Sequence, residues 1–334
     1  MKVFITGVAG FLGSHLARCG LEAGWDVRGI DSMLGGDRRN VPKGALWKAV
    51  PCASHGVYGG SILAGTDVVY HCAAAPYEGL SVFSPEMVYE NTLMSTISVL
   101  RASIAAGVRR FVFCSSMSRY GAQQAPFTEN MRTAPVDPYG CAKTAAEDAV
   151  RTLCGLHGLE WAVVVPHNIY GPGQRYWDPF RNVAAIMANR VLQGKPPIVY
   201  GDGTQRRCLS YVGDVTGPLM QMATEPAAAG EVVNVGPDDE GVTIAELAEL
   251  ILKLTESALE PVHMPPRPAE VHTATCSAAK ARALLGYEPR WALEDGLAQL
   301  IAWIKERGPR PFDYHLPVEL PSERTPKTWT ERLI

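Results

Sequence analysis

Tyr139 and Lys143 stand four residues apart in a stretch whose apolar pattern predicts a helix over 138–157, opened by Pro138 and closed by Gly155 and Gly158. That spacing puts a phenol and an ammonium on one helical face. A nearby positive charge stabilises phenolate and draws the tyrosine pKa toward working pH. A tyrosine so tuned can take the proton of a secondary alcohol while hydride leaves the same carbon. Alone, Tyr-x-x-x-Lys is common by chance and describes a surface pair more often than a catalytic one. Ser116 alters that balance. It closes the predicted strand 109–116, at the carboxyl end where ligands bind in parallel sheets, and its hydroxyl can bond the same substrate oxygen.

A hydride needs an acceptor, and the first thirty-one residues supply a place for one. Val3, Phe4 and Ile5 form a short apolar run fit for a buried strand, and Gly7, Gly10 and Gly13 come after it at intervals of three. Gly7 allows a sharp turn off the strand, Gly10 a close backbone approach to a phosphate, and Gly13 close packing of helix on sheet. Phe11 and Leu12 open the helix, whose N-terminus presents free N–H groups to an anion. A second strand, 26–30, leads to Asp31. A carboxylate there accepts both hydroxyls of an adenosine ribose and repels a 2′-phosphate, which favours NAD over NADP. Arg38 and Arg39 read as a solvated loop pair. An oxidised nicotinamide beside Tyr139 would add to the stabilisation of its phenolate.

The elements that must position these groups alternate. Strands are expected at 67–72, 109–116, 159–165 and 231–235, and helices at 86–106 and 138–157. This is the α/β pattern of a Rossmann-type, doubly wound parallel sheet with right-handed crossovers. Past Asn168 the prolines and glycines become dense. Helices are expected there at about 180–193, 243–255, 277–285 and 293–307, with a short strand at 198–200. The reading divides the chain into a cofactor domain, 1–168, and a smaller mixed α/β substrate domain, mostly 169–315, with some later segments rejoining the sheet. The stretch 316–334 is a tail, either wrapped on the body or mobile.

The chain of 334 residues is 47% apolar, enough for a sizeable core, and its net charge of -3 offers no basic field for nucleic acid. No apolar run is long enough to span a bilayer, and the sequence enters a strand at once with no leader pattern. Eight scattered cysteines without a Cys-x-x-Cys pair predict reduced, buried thiols in a cytoplasmic protein, and no metal-ligand cluster is present.

Further motifs occur in a fixed order. They are His71-Cys72-Ala73-Ala74, Asn91, Ser115-Ser116, Tyr120-Gly121 and Pro138-Tyr139-Gly140-Cys141-Ala142-Lys143. Then come Asn168-Ile169-Tyr170-Gly171-Pro172-Gly173-Gln174, Gly201 through Arg207, Tyr211-Val212-Gly213-Asp214 and Arg267-Pro268-Ala269-Glu270. Together they resemble the extended short-chain dehydrogenase/reductases, in the branch of nucleotide-sugar epimerases and dehydratases, over about residues 1–305. The resemblance implies NAD as cofactor, held by the glycine loop, Asp31, Ala73, Ala74, Asn91, Tyr139, Lys143 and Pro166. It implies Ser116, Tyr139 and Lys143 as the catalytic trio. Met117, Ser118 and Asn168 would meet the substrate, Tyr200 the nucleotide base, Arg207 and Arg267 the diphosphate, and Glu270 the nucleotide ribose. The pattern closest to this chain is that of a 4-epimerase of a UDP-sugar. A homodimer through helices at about 92–106 and 140–155 is implied as well.

Hydride removal from C4 gives a 4-keto sugar, and the neighbouring side chains decide its fate. Relatives that eliminate water carry an acid pair directly after the catalytic serine or threonine, where this chain has Met117 and Ser118. A glutamate usual in decarboxylating relatives is also missing at Ser118. Hydride return to the other face is then the simplest outcome. The alternatives are a dehydratase using other acids and, in a different class, a catalytically silent NAD-binding regulator, against which the intact trio argues. Arg119 and Pro166-His167 depart from the pattern, and Pro51-Cys52 lies where an acid often stands near the adenine. Ala274 is expected to leave room beside C2 for an N-acetyl group, and Arg175 to meet a uronate carboxylate.

Overall fold

The computed structural model describes residues 1–53 and 62–334. Its centre is a seven-stranded sheet of β1 (Lys2–Thr6), β2 (Asp26–Asp31), β3 (Leu46–Ala49), β4 (Val68–His71), β5 (Arg110–Cys114), β6 (Glu160–Pro166) and one later strand. Short strands β7 (Ile169–Tyr170), β8 (Ile198–Tyr200), β9 (Arg206–Arg207) and β10 (Ser210–Tyr211) precede β11 (Val232–Val235), which returns to the main sheet. The order is β11-β6-β5-β4-β1-β2-β3, and every pairing is parallel. The strand order reverses between β1 and β4, which opens a crevice beyond their carboxyl ends.

The central strands are buried on both faces, as parallel strands covered by helices must be. Alternate residues feed two cores. Phe4, Val69, Phe111, Phe113 and Val163 point to one face, and Val3, Ile5, Val68, Tyr70 and Val112 to the other. Helix α1 (Phe11–Glu22) covers the second face. The first is covered beyond two short helices, α2 (Glu78–Ser81) and α3 (Pro85–Tyr89), by α4 (Ser95–Ala105) and α5 (Pro138–His157). The sequence predicted one unbroken helix over 86–106. The structure inserts a wider π turn at Glu90–Met94. Side-chain hydroxyls loosen the ladder there, because Ser95 Oγ donates to Asn91 O at 2.9 Å and Thr96 Oγ1 to Thr92 O at 2.6 Å.

The second lobe packs α6 (Val183–Leu192), α8 (Ile244–Leu254) and α10 (Leu293–Arg307) around Tyr170, Tyr176 and Leu247. Between them in sequence, α7 (Val212–Thr224) crosses back to pack on α1, and α9 (Ala279–Leu285) lies by β11. Small strands β12 (Val242–Thr243), β13 (Val262–Met264) and β14 (Thr273–Ala274) pair with β9, β8 and β9, and bring the Arg267–Glu270 loop beside Arg207. The tail ends in a short helix, α11 (Lys327–Thr330), and it is wrapped on the body: Leu316, Thr328, Trp329 and Ile334 are buried.

Candidate active site

Beyond the carboxyl ends of β1, β4 and β5 lies a cavity of about 440 Å³ between the two lobes. The residues that the resemblance implied for cofactor and substrate line it, whereas Arg175 and Ala274 do not. The glycine loop is shaped as its spacing required. Gly7 has a φ of +73°, and Gly10 N donates to Gly7 O at 2.9 Å. A Cβ on Gly13 would sit 2.1 Å from Gly7 O, so only glycine lets the helix start against the loop. Asp31 Oδ2 accepts from Ala9 N at 2.9 Å and Oδ1 from Met33 N at 2.8 Å. Burial raises the Asp31 pKa and these backbone bonds oppose the rise. The carboxylate also lines the cavity, where it can accept from a ribose hydroxyl. These residues fit NAD.

Ser116, Tyr139 and Lys143, the trio expected to be catalytic, are brought together by close packing of α5 on the turn after β5. Asp137 caps the helix, accepting from Gly140 N at 2.9 Å, and Pro138 takes the first position, where no N–H is needed. A Cβ on Gly140 would lie 2.8 Å from Ser118 O. Glycine there lets the helix start press on the serine turn, which carries Tyr139 to Ser116. Ser116 itself caps the turn Met117–Tyr120, accepting from Ser118 N at 3.2 Å. Burial raises the Tyr139 pKa, the Ser116 hydroxyl and Arg181 lower it, and Glu78 and Asp137 add to the rise. Lys143 Nζ donates to Cys114 O at 2.6 Å and lies 6.0 Å from the Tyr139 ring centroid. Burial lowers the Lys143 pKa to about 8. The sequence expected Lys143 to draw the phenol down. In the structure the ammonium is tied to a backbone carbonyl, and burial of the phenol outweighs the charges around it.

At the substrate end, Arg267 Nη2 bonds Glu270 Oε1 at 2.7 Å and its guanidinium lies 4.7 Å from the Tyr200 ring centroid. Arg207 Nη2 donates to Val271 O at 2.7 Å and stands 3.6 Å from Glu270. Glu270 thus holds both arginines in place. Arg207 lines the cavity beside this pair, where its guanidinium can meet an anion. Asn168, with a φ of +23°, donates to Cys208 O at 3.1 Å and to Met117 Sδ at 3.3 Å. Asn91 Nδ2 bonds Met87 O at 2.9 Å from within the π turn.

Two expected contacts do not form. Arg175 pairs with Asp313 at 2.8 Å and donates to Leu34 O, and it is not part of the cavity lining. Ala274 is buried in β14, in register with Arg207, and does not line the cavity either. Counting from Arg267 placed it by sequence distance, whereas the strand turns its side chain inward. His167 is fully buried and off the lining, which leaves it a packing role.

The site also contains residues that sequence reasoning missed. Glu78 opens on the cavity while protein charges surround it: Asp137, Arg207, Arg267 and Glu270 all act on its carboxylate. Desolvation by the surrounding protein raises its pKa, although the residue remains exposed at the cavity. Arg181 lines the same space with its guanidinium 5.5 Å from the Tyr77 ring centroid. Glu78 lies seven residues past the strand end His71, and an acid in that loop was the available signal.

A family model described as the NAD dependent epimerase/dehydratase family matches residues 3–236. The chain belongs to that family. NAD is accordingly its cofactor. Among its relatives is UDP-glucose 4-epimerase of Mycolicibacterium smegmatis, 29% identical over 316 residues, covering 92% of this chain and 99% of the relative. The solved UDP-glucose 4-epimerase of Thermotoga maritima with UDP-glucose superposes at a TM-score of 0.86, with 30% identity over 92% of this chain and 99% of that one. UDP-glucuronic acid 4-epimerase of Bacillus cereus, solved with UDP-glucuronic acid and NAD, gives 0.86 at 26% identity, over 92% and 100%. Family membership sets the class of chemistry, and the sugar is left to the residues of this cavity.

Proposed function

We propose that this family member is a 4-epimerase of a UDP-sugar. The supporting observation is that Ser116, Tyr139 and Lys143 share one cavity with Asn168, Arg207 and Arg267 at the switch point of the sheet. The bound cofactor supplies the hydride acceptor and later the donor. Tyr139 takes the proton from the C4 hydroxyl, Ser116 bonds the same oxygen, and Lys143 holds positive charge beneath the phenol. Arg207 and Arg267 hold the diphosphate by charge-assisted bonds while the 4-keto sugar turns over, so that C4 takes the hydride back on its other face as Tyr139 returns its proton to the C4 oxygen. In this reading the molecule works in the cytoplasm, a setting that its eight scattered cysteines suit, and pairs as a homodimer through α4 and α5.

Glu78 favours a second reading. Met117 and Ser118 cannot act as the acid pair of an elimination, but Glu78 brings a carboxyl group to the same cavity from another loop. With it as the acid or base, a 4-keto sugar could lose water. One experiment decides: incubate the enzyme with UDP-glucose, UDP-N-acetylglucosamine, UDP-glucuronate and dTDP-glucose, and resolve products by mass. A new peak of unchanged mass, lost in Tyr139→Phe, supports epimerisation. A product lighter by water supports the Glu78 reading. No product from any of the four counts against both.

A further inference from the structure

The tail is tied to both lobes. Ser84 Oγ donates to Pro317 O at 2.6 Å, and Leu320 N to Phe83 O at 2.9 Å. The Glu319 carboxylate accepts from Glu86 N and Met87 N, both at 2.9 Å, at the start of α3. On the other side, Arg190 Nη1 of α6 donates to Leu333 O at 2.8 Å, and Tyr200 Oη meets Thr328 Oγ1 at 2.6 Å. Tyr314 Oη donates to Thr328 O at 3.1 Å and accepts from Ile334 N at 3.1 Å, which closes the last turn on itself. A chain end held this way is a structural wall.

That wall faces the cavity. Trp329 and Ile334 line it together with Phe180, Ile186, Ile198 and Tyr200. Trp329 is 4% exposed and packs edge-on against Phe180 and Phe83, with ring centroids 5.6 and 6.1 Å away. A Cβ on Gly79 would lie 3.4 Å from Arg267 Nη1 and 3.6 Å from Trp329 Cη2, so the indole sits at the diphosphate end. The apolar lining of Phe180, Ile186 and Ile198 and the two aromatic rings of Tyr200 and Trp329 suit a flat heteroaromatic ring.

We propose that the tail is part of the substrate site, and that the Trp329 ring contacts the nucleobase half of the nucleotide sugar. Thr328 is a positioning residue that acts through Tyr200. This rests on the nucleotide-sugar reading of the cavity. It assigns the base to the chamber by Trp329 and leaves the sugar to the Tyr139 end. The wall then sets affinity for the nucleotide without touching the step at C4.

The test is calorimetric titration of the full chain, loaded with NAD, with UDP, dTDP and ADP, so that no turnover is needed. Trp329→Phe keeps a smaller aromatic ring against Phe83 and Phe180. Thr328→Val removes only the bond to Tyr200. The expected result is a rise in the UDP dissociation constant of about fivefold for Trp329→Phe and about threefold for Thr328→Val. KM on the best sugar should rise in parallel, with kcat within twofold. Circular dichroism and Tm should show the fold intact. Unchanged UDP affinity in a folded Trp329→Phe protein would overturn the contact. Tighter UDP binding after deletion of 321–334 would overturn it in another way, by showing that the tail is a plug. Failure of the wild type to bind any of the three nucleotides would defeat the nucleotide-sugar reading itself. Lost turnover with unchanged UDP binding would leave that reading intact and sink only the proposal for Trp329.

Discussion

Replacing Gly13 by alanine adds a single methyl group at the most crowded point of the glycine loop proposed to hold the cofactor. The new Cβ would lie 2.1 Å from Gly7 O and 2.7 Å from Gly7 C, both backbone atoms, while ordinary contact begins at 3.4 Å. Loop and helix must therefore part by about 1.3 Å. Gly7 O also accepts the bond from Gly10 N at 2.9 Å, so the phosphate turn moves with it. A displacement of roughly 1 Å at a positioned site costs on the order of a hundredfold, about 2.7 kcal/mol. Gly155→Ala is the control, because no described atom lies within 4 Å of a Cβ there and the residue sits in helix α5. It should gain about 0.5–1 kcal/mol from the lower entropy of the unfolded chain. The assay is NAD retained after gel filtration, with the dissociation constant measured on stripped and reloaded protein. Gly13→Ala should release its NAD and Gly155→Ala should keep it with a higher Tm. Full NAD occupancy and wild-type affinity in Gly13→Ala would refute the packing argument.

The charges around the site make further predictions. The Lys143 pKa of about 8 lies below its ordinary 10.5, so its ammonium is lost as pH rises through about 8 and turnover should fall with it. The unfolded chain binds the extra proton between these values, so stability should rise over the same range; a kcat/KM flat from pH 7 to 9.5 would count against the role of the ammonium. Glu147 pairs with Arg119 at 3.0 Å where both side chains are at most 3% exposed. Glu147→Gln strands a buried guanidinium and should cost about 3–5 kcal/mol in urea unfolding, and a loss below about 1 kcal/mol would refute it. Glu78→Gln removes a negative charge from the sugar end, so turnover of UDP-glucuronate relative to UDP-glucose should improve about fivefold. An unchanged ratio would show that the carboxylate does not face the sugar.

The positions most readable from sequence are those whose chemistry and backbone geometry are fixed within one βαβ unit. Gly7, Gly10, Gly13 and Asp31 form a site by local rules, because a strand, a tight turn and a helix start leave few arrangements. Tyr139 and Lys143 are legible for the same reason, since a helix fixes their common face. What escaped was set by contacts distant in sequence. Ala274 and Arg175 were placed by their positions along the chain, but strand pairing buries one and Asp313, just ahead of the tail, claims the other. Arg119 looked like a departure from pattern. Its meaning lies in α5, where Glu147 neutralises it and also accepts from Ser115 Oγ at 3.1 Å. That pair therefore braces the turn carrying Ser116 from beneath, as Gly140 does from the side. A substitution that breaks it should disturb Ser116 before it disturbs NAD, so Glu147→Gln should lower kcat more than it lowers cofactor occupancy. Equal losses of both would mean that the ion pair supports the sheet as a whole and not the catalytic turn.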